Sequence, residues 1–178
     1  MKLIGTHNSA TGENGYGVLS WLVAPFAVTQ RKTIREQFDA GCRSFDIRVR
    51  LTKRGWVCAH GLWESLRSAE DILKEIDCLG DRVEVSVMYE GKGHADFGNF
   101  ATMVRTHSRN IVWGKFCCKK SRTVYQYADP SYSGGKQGFV VLDGRSWHTY
   151  LPSPWLWNLI YTRRKKFDEE KFTFVDFL

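Results

Sequence analysis

The chain has 178 residues, of which 43% are hydrophobic, 25% charged and 14% aromatic, and it carries a formal net charge of +7. At about 150 residues per domain this is a single domain, residues 1–178, and a chain this apolar can bury enough surface to offset its ordering entropy, which excludes disorder. The longest apolar stretch, residues 18–28, is shorter than the roughly 20 residues a bilayer needs and is interrupted by Ser20 and Pro25, so a membrane-spanning helix is excluded too.

The chain opens with Met1-Lys2-Leu3-Ile4, but Gly5-Thr6-His7-Asn8-Ser9 follows where a secretion signal needs an apolar core, so no signal peptide is expected. Leu3-Ile4 is a short apolar run ending in that turn-like segment. Residues 12–17 form a glycine-rich, aromatic loop, and the apolar patch 18–28 continues as loop. Thr33-x-x-Glu36 is a capping box that starts a short helix, with Ile34 and Phe38 on one face and Gly41 as its stop. Residues 44–50 alternate cleanly with period 2 and predict a strand: Phe45, Ile47 and Val49 on one face, Ser44, Asp46, Arg48 and Arg50 on the other.

A short strand is expected over 57–60, then a helix capped by Ser68 with Ala69, Ile72, Leu73 and Ile76 on its apolar face. Residues 83–90 repeat the alternation, with valines on one face and Glu84, Ser86 and Glu90 on the other. A weaker helix over 96–107 and strands over 138–143 and 172–177 complete the reading. Pro152 and Pro154 break a loop carrying Trp155 and Trp157. Strands alternating with helices indicate βα units, and polar residues at several strand ends describe a barrel mouth. The expected fold class is α/β, an abridged or imperfect TIM (β/α) barrel, because a full barrel takes about 250 residues.

The five cysteines (Cys42, Cys58, Cys78, Cys117, Cys118) include one adjacent pair and no C-x-x-C, so they read as buried or free thiols rather than zinc ligands. That usage suits a reducing compartment: cytoplasmic by default, or secreted by a route without a signal. The positive charge favours an anionic partner such as a lipid surface, a phosphorylated substrate or nucleic acid, and equally serves a solvated surface.

His7 follows one strand, Asp46 and Arg48 share the inward face of the next, and His60 ends a third. Two imidazoles and a guanidinium suffice for metal-free phosphodiester cleavage. One ring takes a proton from the attacking hydroxyl, the other gives one to the leaving alkoxide, and the guanidinium fork meets the charge building on the phosphoryl oxygens. An imidazole, ordinarily titrating near 6.5, serves either role near neutrality.

Gly5-Thr6-His7-Asn8-Ser9, then Gln30 and Ile34, then Gly41-Cys42-Arg43-Ser44-Phe45-Asp46-Ile47-Arg48, then His60-Gly61, resembles the catalytic X domain of phosphatidylinositol-specific phospholipase C of the bacterial type. The match covers residues 3–61 closely and the remainder loosely. The resemblance implies an imperfect TIM barrel and roles for single residues. His7 would be the base that activates the inositol 2-hydroxyl, and His60 the acid that protonates the diacylglycerol leaving group. Arg48 would stabilise the pentavalent phosphorus and Asp46 would orient the groups around it, with Asn8 beside His7 and Asp176 as the carboxylate holding the base. Glu90, Lys92 and Arg145 would contact substrate; for the two cations, a solvated surface role is the alternative.

Two positions depart from the bacterial pattern. Asn8 stands where those members carry Asp, and calcium-dependent members carry His-Asn, with an acid near Glu90. Those enzymes need carboxylates two apart on the second strand, however, and here the second is Arg48, a cation where the ion would sit. The resemblance therefore implies a metal-independent site without cofactor. It also suggests that Trp21, within the apolar loop 18–23, docks at a phospholipid surface, with Lys32 and Arg35 near it; packing of this stretch as core under the loop is the alternative. The expected partner is a phospholipid at a membrane, bound peripherally by a monomer, and not nucleic acid. The rival readings are a glycerophosphodiester phosphodiesterase-like barrel, whose Glu-x-Asp ligands Asp46-x-Arg48 does not supply, and a non-catalytic binder of anionic lipid or nucleic acid.

Overall fold

The period-2 stretch becomes the central strand of the sheet. In the computed structural model, which describes residues 4–91, 95–118, 124–125, 140–141 and 173–175, strand β2 spans Cys42–Thr52. Phe45, Ile47 and Val49 are wholly buried on one face, as the alternation predicts. Strand β1 (Ile4–Thr6) pairs parallel with one edge of β2, and β5 (Val83–Tyr89) pairs parallel with the other. A hairpin of β3 (Gly55–His60) and β4 (Trp63–Ser68) folds back on β2, with β3 antiparallel to it. Beyond β5 lie β6 (Ile111–Cys118), parallel, and the short β7 (Val124–Tyr125), antiparallel. Beyond β1 lie β9 (Thr173–Val175) and then β8 (Val140–Val141), both parallel.

Helices cover the apolar face of this sheet. Helix α2 (Ile34–Asp39) starts at the expected capping box: Thr33 Oγ1 accepts from the Glu36 N–H, and the Glu36 carboxylate accepts from the Thr33 N–H. Gly41 follows its end at φ +100, a left-handed conformation that a side chain would strain. Helix α3 (Ala69–Asp77) is capped by Ser68 and buries Ala69, Ile72, Leu73 and Ile76. Helix α4 (Ala95–His107) buries Phe97, Phe100, Ala101 and Val104. These side chains join Phe45, Ile47, Val49, the β5 valines and Phe116 in one core. Each fully buried side chain of this size contributes about 1.5–3 kcal/mol relative to exposure, so the core fixes which strand face is left for polar residues.

Four expectations change. Residues 18–28 are not loop: helix α1 spans Gly17–Ala27, with Pro25 in its last turn. Strands β4 and β6 were not expected. The strand ending at His60 is the antiparallel arm of a hairpin rather than part of a βα unit, because only two residues, Lys53 and Arg54, separate it from β2. The described pairings run as one nine-stranded sheet from β7 to β8 without closing, so the fold is mixed α/β with a largely parallel sheet, and no barrel is shown. Lys92, Arg145, Trp155, Trp157 and Asp176 lie outside the described residues, as does most of the strand expected over 138–143. No helix among the described residues is long and apolar enough to cross a membrane. All five cysteines are free thiols, three of them buried.

Candidate active site

His7 is delivered by a tightly bonded turn at the end of β1. Asn8 adopts a left-handed conformation (φ 47), which Asn tolerates better than most side chains, and a 3-10 turn over Ser9–Gly12 follows. Ser9 Oγ donates to the Thr6 carbonyl at 2.8 Å and accepts from the Asp46 N–H at 2.9 Å, tying the turn to β2. The His7 carbonyl accepts from Thr29 Oγ1 at 2.8 Å and from Gln30 Nε2 at 3.2 Å. Gln30 is wholly buried, so its place in the motif follows from holding this turn.

The polar face of β2 supplies the next two groups. Arg48 is committed through each of its three guanidinium nitrogens. Nε donates to Asp46 Oδ2 at 3.2 Å, Nη1 to Glu90 Oε1 at 3.3 Å, and Nη2 lies 2.5 Å from His7 Nε2. Burial disfavours its charge, and Asp46 and Glu90 more than restore it, so its pKa is raised. A guanidinium can only donate, so His7 must present a lone pair at Nε2. Asn8 Nδ2 stands 3.4 Å from the same nitrogen, and the Asp46 carboxylate 3.9 Å from it. Asp46 also accepts from the Asn8 N–H at 3.3 Å.

His60 faces this cluster from the hairpin. Its ring centre is 6.4 Å from that of His7, with the rings nearly perpendicular. His60 Nδ1 is 2.6 Å from the Ala27 carbonyl, which can only accept, so the proton sits on Nδ1 and Nε2 is left for exchange. That carbonyl belongs to the last turn of α1, where the main chain has no helical partner of its own. Burial lowers the pKa of His60; the Ala27 carbonyl and Glu90 act to raise it, and Arg48 and His7 to lower it. Next to it, Gly61 donates its N–H to Glu90 Oε2 at 2.9 Å.

The register of β6 adds groups that the sequence reading did not assign to the site. Met88 lies between Arg48 and Cys117 across three strands, and Lys115 donates its N–H to Ser86 Oγ at 3.3 Å. Cys117 is half-buried; burial first and Asp46 second push its thiol up to about 11, which keeps it protonated and a poor nucleophile. Among the described residues no three His, Cys, Asp or Glu side chains are grouped to hold a metal ion. Arg48 instead stands between the carboxylates of Asp46 and Glu90.

Beside the site, α1 buries only Ser20 and Ala27. Val18, Leu19, Trp21, Leu22 and Phe26 are all more than half exposed, Trp21 at 74%. Ser20 pins the helix to β4, its Oγ donating to the Glu64 carbonyl at 3.1 Å and accepting the Glu64 N–H at 3.0 Å. The sequence-predicted His7, Asn8, Asp46, Arg48, His60 and Glu90 thus meet in one cluster, and Trp21 stands on the neighbouring helix.

A mixed α/β sheet presenting two imidazoles and a guanidinium from adjoining strands is the class of arrangement these observations define. No family model matches the chain, and no curated protein does. Among solved structures it is similar to a phosphatidylinositol-specific phospholipase C variant from Staphylococcus aureus, at TM-score 0.49 and 16% identity over 62% of this chain and 46% of that one. It is also similar to phosphatidylinositol-specific phospholipase C from Listeria monocytogenes, at TM-score 0.46 and 15% identity over 64% of this chain and 50% of that one. A further Staphylococcus aureus structure gives TM-score 0.47 and 19% identity over 59% and 37%. The chain therefore matches between about a third and half of these proteins' length.

Proposed function

We propose that the protein cleaves the phosphodiester of phosphatidylinositol-type phospholipids by paired histidine catalysis, as a single metal-independent domain. The observation that carries this reading is the complementary state of the two rings: His7 offers a lone pair at Nε2, and His60, with Nδ1 protonated, can carry a second proton on Nε2. The motif shared with the phospholipase C family supports the substrate class.

The entering 2-hydroxyl replaces the Arg48 N–H on His7 Nε2 and gives its proton to that nitrogen while its oxygen attacks phosphorus. The displaced guanidinium N–H then points at the phosphoryl oxygens, where negative charge grows as the bond forms. Asp46 holds Arg48 through Nε. His60 Nε2–H protonates the departing diacylglycerol oxygen, so the products are diacylglycerol and a cyclic inositol phosphate. Asn8 steadies the ring of His7, and the resemblance to the phospholipase C family assigns Asp176 to holding the base and Lys92 and Arg145 to the headgroup. Trp21 and its exposed neighbours on α1 rest against the lipid surface.

Phosphorus NMR of the products from phosphatidylinositol tests the reading. A cyclic inositol phosphate that forms equally with and without EDTA is the expected result. Calcium-dependent recovery of a dead apo-protein would move Asn8, Asp46 and Glu90 into a metal site. Lipid binding that survives His7→Ala with no hydrolysis under any condition would favour a non-catalytic anionic-lipid binder.

A further inference from the structure

We propose that Glu90 is a positioning residue that couples the arginine to the acid histidine, rather than a contact for substrate; this rests on the function proposed above. Glu90 is 8% exposed, with its side chain at 2%. A carboxylate so buried is costly unless both oxygens are engaged, and here they are engaged by different parts of the site. Oε1 accepts from Arg48 Nη1, and Oε2 accepts from the Gly61 N–H. The backbone at Glu90 is fixed as well, its N–H donating to the Val49 carbonyl at 2.9 Å.

Gly61 makes this link possible. It sits at φ +60, a left-handed conformation that costs glycine little, and it directly follows His60. Arg50 closes the same turn from outside, donating to the Gly61 carbonyl and standing 3.9 Å from Glu90 Oε2 and 3.5 Å from Glu64 Oε1. One carboxylate therefore sets the distance between the guanidinium on β2 and the imidazole on the hairpin. It also sets the local charge. Among the described residues, the charged and titratable groups acting on His60 are Arg48 from β2 and His7 from the β1 turn, which disfavour its protonation, and Glu90 from the end of β5, which favours it. Arg50 and Glu64 pair on the Gly61 side.

Glu90→Gln keeps the size and removes the charge, and a Gln oxygen cannot serve Arg48 and the Gly61 N–H at once. With a soluble short-chain substrate, kcat should fall by about 10²-fold, the size of effect a misplacement near 1 Å produces, while KM stays near its original value. The alkaline limb of the pH–rate profile should move to lower pH, because His60 gives up its proton more readily. NMR titration of the His60 ring should show the same movement without any turnover. Should Glu90→Gln not fold, Glu90→Asp keeps the charge and loses the reach, so kcat should fall with the limb unmoved.

A folded Glu90→Gln with unchanged kcat and unchanged His60 titration overturns the proposal. So does a rise in KM at constant kcat, which would make Glu90 a substrate contact. If the unaltered protein shows no turnover on any phosphoinositide, the proposed function fails, while the His60 titration still decides whether Glu90 couples the two groups.

Discussion

The floor of the site and helix α1 are neighbours built to opposite rules. On the floor, Asp46, Arg48 and Glu90 are charged, largely buried and bonded to one another. On α1, apolar side chains stand outward and the polar Ser20 is turned in. Burying charge is tolerated only where partners are in place, and exposing a contiguous apolar patch is a feature of surfaces that meet another apolar phase. The contrast sets a buried, ion-paired region beside an exposed apolar one, so substitutions in the two should fail in different assays.

The largest expected effect lies on the floor. His7→Ala and His60→Ala should each lower kcat by about 10²- to 10⁴-fold, the usual loss when one proton-transfer partner is removed. Circular dichroism should show the fold retained in both, and near-native turnover by either variant would break the division into two regions. A smaller effect belongs to α1. Trp21→Ala should reduce turnover on vesicles by about tenfold, in line with the apolar area an indole buries, and leave turnover on a soluble short-chain substrate near its original value. Vesicle sedimentation should track the loss. Equal losses on both substrates with a lower melting temperature would make Trp21 part of the core.

The smallest effect sharpens the description of His60. Its pKa is depressed in the folded state, burial being the main cause, so below 6.5 the unfolded chain binds the proton more readily. Stability should therefore fall as pH drops from above 6.5 through the lower folded value. Melting temperatures measured across that window should show a steeper acid decline in the unaltered protein than in His60→Ala. Parallel curves would place His60 in open water.

What the sequence revealed depended on whether the signal was local. The alternation of residues 44–50 exposed both faces of β2, and the strand-end histidines led to the cluster. Helix α1 escaped because nearly every position from Val18 to Phe26 is apolar, so it lacks the one-sided 3.6-residue rhythm, and Pro25 reads as a breaker. Strand β4 (Trp63–Ser68) carries Glu64 and Arg67 and ends in the Ser68 cap, which resembles the approach to a helix. In β6, Gly114 and Lys115 interrupt the apolar run. The link from His60 to Ala27 was hidden more deeply: its acceptor is a backbone carbonyl 33 residues away, and no side chain announces it.

That link makes α1 a lever. At 1.5 Å per residue the helix is a stiff rod of about 16 Å, apolar along its outer side and ending at the carbonyl that holds the His60 ring. The Ala27 carbonyl bonds His60 Nδ1 directly, so a tilt or slide of the rod shifts the acceptor of that bond. Whatever the outer side of α1 leans against thus acts on a helix bonded directly to His60, and a resonance of the His60 ring can serve as a gauge of how the helix is loaded.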